Sequence, residues 1–383
     1  MNQKMKQSLL VGFIVVSLLY SAFTVTRIIA TSQLQDFRLY YLGAQSILLG
    51  KNPYKEVQGV IYPPIALVLL TPFAALPYSV AEDVWTVLSV IALLSSFFLL
   101  ISSTGQKASV KLFLIITGVA MLSFPVKFTL GMGQINFFIL LFTCLSFYWY
   151  RNKQQFLSGS ALAIAVSLKL SPILLLLFFI RKRQWYVVIS CLAGIILLNG
   201  LGALLLGTSV SSYYWQQIFP AIPTVGNAIY YNQALTGWLA RAEIAGQLAR
   251  VINYLVLGSM LIVNWQYSKA TKQTTVIELG ELGLLVISVL VGTGLAWQHH
   301  FVSVVIPLVA LLAINSVGKR IQVIPLTFVG LAYVLIAGNL KNPSLVEGFW
   351  KYLLLSHVLI GALLLYGLLL WTLASRSREK AEK

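Results

Sequence analysis

Residues 36–77 read DFRLYYLGAQSILLGKNPYKEVQGVIYPPIALVLLTPFAALP, a polar, aromatic and proline-rich run between two long apolar segments. Phe37, Tyr40, Tyr41, Ala44, Ile47 and Leu48 recur at helical spacing opposite Arg38, Gln45 and Ser46. The pattern predicts an amphipathic helix on a membrane surface, ended by Gly50 and the Asn52-Pro53 step. Ile65 to Leu76 is apolar but short and interrupted by Pro72. It reads as a segment that dips into the membrane or lies on it.

The composition around this stretch places the whole chain in a bilayer. Of 383 residues, 58% are hydrophobic and 10% charged, where a soluble domain carries about 25% charged residues. The formal charge of +17 favours membrane over nucleic acid, because the basic residues fall in short clusters between apolar segments. Cytoplasmic loops beside anionic lipid have this pattern. Cys144 and Cys191 lie inside apolar runs and imply neither a disulfide framework nor a thiolate metal site.

Charge and hydropathy together predict a topology. Lys4 and Lys6 precede a retained first helix from Leu9 to Ala30, and Val80 to Ser103 returns to Lys107 and Lys111. Leu112 to Phe128 then goes out, Gly131-Met132-Gly133-Gln134 turns, and Ile135 to Tyr150 comes back to Arg151 and Lys153. Phe156 to Ile180 lies between two basic clusters, so it must enter and leave on one side. Its break at Ser167 to Pro172 suggests a hairpin of two short helices with Lys169 near the outer tip. Trp185 to Gly207, Val251 to Gln266 (exit at Lys269 and Lys272), Ile277 to Ala296, Phe301 to Val317 (exit at Lys319 and Arg320), Ile321 to Gly338 and Trp350 to Leu373 complete the set, with an outer loop holding Lys341 and Glu347 before the last. The expectation is an all-α polytopic membrane protein of about 12 segments, a single membrane domain over 1–383. Its outer loops are 31–79 and 208–250, and both termini are cytoplasmic in the plasma membrane.

Sorting polar residues by side gathers Asp36, Tyr62, Gln134, Asn136, Lys169, Asn232, Gln233, Trp297, Gln298, His299 and His300 at outer segment ends. Each has a plain alternative. Asp36 stands where a helix N-cap belongs, or it is a general base at the membrane surface. Lys169 either snorkels to the interface or binds an anion. His299 and His300 are an interface pair, since adjacent histidines do not have metal-ligand spacing on a helix, and no metal site is expected. Gly131 to Asn136 reads as a turn with close helix packing, because no strand precedes it. Glu278 and Glu281 favour the dipole of the helix they open, as Glu82 and Asp83 do for theirs. Ser212 to Gln217 and Tyr230 to Gln233 combine aromatic faces with amides, which suits an interface belt and also sugar rings.

Several motifs together carry a resemblance: Asp36 with Tyr40-Tyr41, Gly50 to Tyr54, Tyr62-Pro63-Pro64, Gly133 to Asn136, Lys169 with Pro172, Asn232 to Leu235, and Trp297 to His300. The chain resembles glycosyltransferase family 87, polyprenyl-phosphate-sugar-dependent enzymes of the C-class membrane architecture that include alpha-mannosyltransferases. The resemblance implies an inverting hexosyltransferase working on the extracytoplasmic side, with Asp36 as catalytic base. It implies a polyprenyl-phosphate sugar donor, a glycan or glycolipid acceptor and no cofactor. Lys169, His299, His300, Asn232 and Gln233 are then the donor and phosphate contacts, and Tyr40, Tyr41, Tyr62, Gln134, Asn136 and Trp297 line the substrate groove. Gln298 stands where family members often have an acidic residue, which leaves Asp36 largely alone as candidate base. The competing class is a transporter or lipid flippase, since a broken helix with a buried Lys also suits a transport site. Against it, no inverted repeat is evident, and the polar residues gather on one face instead of at the midplane.

Overall fold

The computed structural model describes residues 3–31, 33–105, 110–222, 228–244, 246–267, 274–316, 323–341 and 348–381. The expected basic exits at Lys107, Lys269, Lys272, Lys319 and Arg320, the boundaries at Val317 and Ile321, and Glu347 lie outside the described residues. The fold is all-α, as a chain this apolar requires: in hydrocarbon the backbone must satisfy its own hydrogen bonds, and a helix does so within one segment.

Among the described residues, six helices are long and apolar enough to cross a membrane: Val11–Thr31, Tyr78–Ser103, Trp185–Leu206, Gly246–Tyr267, Thr275–Gly292 and His357–Ser375. A seventh span is obtained if Val110–Leu122 and Phe124–Met132 are taken together, although they meet at 73°. The straight crossing expected over Leu112 to Phe128 is therefore broken at Ser123, where Pro125 opens the second helix. The other expected segments are short helices, including Gln155–Leu168, Ser171–Arg181, Gln298–Ile314 and Thr327–Ala337. The expected count of 12 exceeds the spans that length and composition pick out. Trp185–Leu206 exposes Ile189, Ile196, Leu197 and Leu204, a face suited to lipid. Thr275–Gly292 is 94% buried along its span, with its acidic residues confined to the first two turns, so it forms the centre of the bundle.

The break at Lys169 has the expected hairpin form. Gln155–Leu168 ends at Lys169 in an extended conformation, and Ser171–Leu175 leads into Leu176–Arg181. Both feet of the hairpin reach one acidic residue, because Arg151 and Lys182 each pair with Glu278. Lys182 also pairs with Glu281, and the Tyr150 hydroxyl donates to Glu278 Oε1 at 3.1 Å. The acids expected only to favour a helix dipole thus anchor three segments in a buried ion network. Its distance from the opposite end of the central helix, near Gly292, is about 21 Å by helical rise. Glu278→Ala takes the carboxylate from Arg151 and leaves Lys182 its pair with Glu281, and should cost about 1.5–3 kcal/mol of stability, the scale of a hydrogen bond to a charged group. A lowered melting temperature in detergent reads this; an unchanged one would reduce the network to surface pairing.

The helix predicted after Asp36 is present as Gln35–Leu48, with Phe37, Tyr40, Tyr41 and Ala44 buried. Its aromatic face packs on protein instead of lipid: Phe37 lies 5.0 Å from Trp85 and 6.0 Å from Phe73, ring to ring. The proline-broken segment folds as two short helices, Pro64–Leu69 and Thr71–Ala74, each with proline in its first turn. The first packs on Trp185–Leu206, where Gly202 lets the backbone of Ile65 approach to within 3.1 Å of where a Cβ would stand. Cys144 and Cys191 are both buried and unpaired.

Candidate active site

Asp36 does not cap its helix. Leu34 occupies the cap position with left-handed backbone and no side-chain cap bond, and Asp36 lies in the first turn with its carboxylate turned to another element. Its Oδ2 accepts a hydrogen bond from Gln134 Nε2, and Oδ1 accepts none from any side chain among the described residues. The Gln134 carbonyl in turn accepts from the Tyr40 hydroxyl at 3.0 Å, the Tyr62 hydroxyl at 3.1 Å and Asn136 Nδ2 at 3.5 Å. Phenol and amide donors on the oxygen side fix the amide so that its nitrogen faces Asp36. The two phenols also bond each other at 2.8 Å. Tyr41 is separate from this cluster and bonds the Leu76 carbonyl at 2.7 Å.

Close helix packing makes this contact possible. Gly133 ends Phe124–Met132 in the left-handed region, φ +66, and a Cβ there would stand 2.6 Å from Phe37 Cβ. Trp85 Nε1 donates to the Gly133 carbonyl at 2.8 Å. Gln134 is thereby delivered beneath the first turn of the Asp36 helix. Trp85 is a supporting residue that sequence reasoning missed, since a tryptophan inside an apolar helix carries no signal of its partner.

Burial raises the Asp36 carboxyl above its ordinary range, while the Gln134 amide and the positive charge of Lys169 pull it down. The Tyr40 and Tyr62 phenols are pushed up by burial and stay protonated donors. A base of this kind is competent only above its raised pKa, so activity should fall on the acid side at a pH above about 3.9, the ordinary aspartate value. Gln134→Ala removes a donor to the charged form, which raises the pKa further and moves that acid limb to higher pH. A kcat/KM profile whose acid limb stays in place would separate Gln134 from the titrating group.

Lys169 and His300 form the second half of the site, with Lys169 Nζ against His300 Nε2. His300 Nδ1 accepts the Trp297 N–H at 3.1 Å, so a neutral ring carries its proton on Nε2. The two nitrogens touch each other with no room for an atom between them, and the Lys169 ammonium keeps further N–H donors for an anion. They stand on a cleft whose polar rim includes Asn136 and whose apolar walls include Ile139, Leu175, Val286 and Leu290.

The remaining predicted contacts separate by role. Asn232 and Gln233 are fully buried and hold backbone: Asn232 Oδ1 accepts from Ala234 N at 3.2 Å and Ala296 N at 3.3 Å. Gln233 Nε2 donates to the Tyr230 and Leu355 carbonyls at 2.6 and 2.8 Å. They pin the strand-like pairing of Asn232 with Trp297 and so set the turn that carries His300. Arg241, missed in the sequence, reinforces it with hydrogen bonds to the Ile229 and Asn232 carbonyls and to Ser356. His299 packs against the Phe128 ring at 5.2 Å and the His300 ring at 4.5 Å.

Known proteins are similar to this chain in sequence. Residues 61–320 match glycosyltransferase family 87, a range that takes in Tyr62, Gln134, Lys169 and His300 and begins after Asp36. The chain is 27% identical over 331 residues to the polyprenol-phosphate-mannose-dependent alpha-(1-2)-phosphatidylinositol mannoside mannosyltransferase of Mycobacterium tuberculosis, covering 79% of this chain and 74% of that one. It is 24% identical over 330 residues to the protein of the same description from Mycolicibacterium smegmatis, covering 78% and 74%. It is 25% identical over 250 residues to the polyprenol-phosphate-mannose-dependent alpha-(1-2)-phosphatidylinositol pentamannoside mannosyltransferase of Mycolicibacterium smegmatis, covering 63% and 58%. A match over more than half of its length, on an all-α membrane fold, makes this chain a member of glycosyltransferase family 87.

Proposed function

We propose that the protein transfers mannose from a polyprenyl-phosphate donor to a glycan or glycolipid acceptor on the extracytoplasmic face, with inversion, using Asp36 as general base. The acceptor hydroxyl gives its proton to Asp36 and its oxygen bonds to the anomeric carbon. The bond from that carbon to the phosphate oxygen breaks, and polyprenyl phosphate leaves with the electron pair. Attack and departure on opposite sides invert the centre. Charge grows on the leaving phosphate, so a cation already in place there lowers the barrier more than it aids binding. Lys169, held in place by His300, supplies it, while the apolar walls of the cleft take the first isoprene units.

The observation that carries this reading is a half-buried carboxylate oriented by Gln134, which Gln134 joins through Asn136 to the apolar-walled cleft that Lys169 and His300 line. Mannose as the sugar follows from the donor named for the relatives. The orientation, with both termini cytoplasmic, follows from the basic clusters. The test is transfer of radiolabelled mannose by the purified protein to a panel of glycolipids, offered either polyprenyl phosphate mannose or a nucleotide-linked mannose. Transfer from the lipid donor alone is expected. Transfer from the nucleotide sugar, or from neither, would overturn the donor class.

A further inference from the structure

The helix Phe124–Met132 carries a feature that the chemistry at Asp36 does not use. Phe124 and Phe128 stack with ring centroids 5.2 Å apart, and Phe128 meets Tyr231 at 4.8 Å. Tyr231 lies stacked against Trp297 at 6.5 Å and 28°. All four rings are partly exposed, so they form a shelf and not a closed core. Lys341 holds its ammonium 5.3 Å from the Tyr231 ring centroid at the shelf edge.

Beneath the shelf, three consecutive residues each keep a buried polar atom with no hydrogen-bond partner among the described residues: Trp297 Nε1, Gln298 Oε1 and His299 Nδ1. Gln298 is fully buried and His299 is 2% exposed. Buried polar atoms are ordinarily paired, and leaving them unpaired is costly. These atoms have no exposed surface, and buried water ordinarily pairs such groups. The partly exposed ring faces beside them are what a ligand meets, and the C–H face of a pyranose packs on aromatic rings.

The position of the shelf says which sugar it would hold. Phe128 and Gly133 lie on one helix, about 7.5 Å apart along its axis, and Gly133 abuts the Gln134 that orients Asp36. That offset is close to one sugar residue. The donor brings a single hexose, placed between Asp36 and Lys169, so any further sugar belongs to the acceptor. We infer that the shelf of Phe128, Tyr231 and Trp297 is an acceptor subsite for the hexose adjoining the one whose hydroxyl reacts. The inference rests on the transferase reading above, and it makes the enzyme selective for acceptors of two or more sugars.

The test compares one-hexose and two-hexose glycolipid acceptors with wild-type protein, Trp297→Ala and Tyr231→Ala. Tyr231→Ala is included because it leaves the Trp297 turn in place. The wild type should use the two-hexose acceptor with the lower KM. Each substitution should raise that KM about tenfold, the scale of one lost interaction of this kind, and Tyr231→Ala should leave donor KM unmoved. Equal effects on the two acceptors, or none, would overturn the subsite. Saturation-transfer NMR with a free dihexoside reads the shelf even if the wild type transfers nothing, an outcome that would sink the transferase reading by itself. Contact with the dihexoside that Tyr231→Ala abolishes supports the subsite, and contact equal in both proteins removes it.

Discussion

Asp36→Asn should lower mannosyl transfer by about 10²–10⁴, the range expected when a positioned general base is removed, in a protein that stays folded. The amide keeps the shape of the carboxylate and can still meet Gln134, so the aromatic packing of Phe37 against Trp85 and Phe73 is undisturbed. What it loses is the ability to accept a proton from the acceptor hydroxyl. Initial rates with saturating donor, beside a melting curve for each protein, separate the two effects. A variant that melts like the wild type and transfers at an undiminished rate would remove Asp36 from the chemistry and leave it as a packing contact of Gln134.

Lys169→Met should have the second-largest effect, a fall in kcat of about 10²–10³, the scale of losing one preorganised donor to developing charge. Methionine is close in volume and apolar, and it removes the desolvation cost of a buried charge, which offsets the lost contact with His300. Rate and stability should therefore part company. The loss should fall on kcat more than on donor KM, because the charge on the phosphate grows in the transition state. A rise in donor KM with kcat intact would make Lys169 a binding contact only, and no change in either would return it to snorkelling.

The membership in glycosyltransferase family 87 decides against the transporter alternative that a broken helix with a buried lysine had kept open. The same break at Lys169 is used here to hold a cation at the tip of a hairpin. Its two feet are fastened at the other end of the bundle by Glu278. The second outer loop also changes meaning. Its amides, Asn232 and Gln233, fit sugar by composition, yet both are fully buried and bonded to backbone. The aromatic residue beside them, Tyr231, is the one left facing outward.

Local pattern alone was enough for the all-α membrane class, for the helix after Asp36 and for the hairpin at Lys169. These depend on hydrophobic periodicity, proline and basic clusters, which act over a few turns. It was not enough for pairing. Asp36 finds Gln134 at a separation of 98 residues, and Lys169 finds His300 at 131. No short-range rule links such positions. Only the packing of Gly133 under Phe37 turned an apparent N-cap into an oriented carboxylate. The burial of Asn232 and Gln233 likewise came from the tertiary fold, because a polar side chain bonds whatever backbone lies nearest once water is excluded.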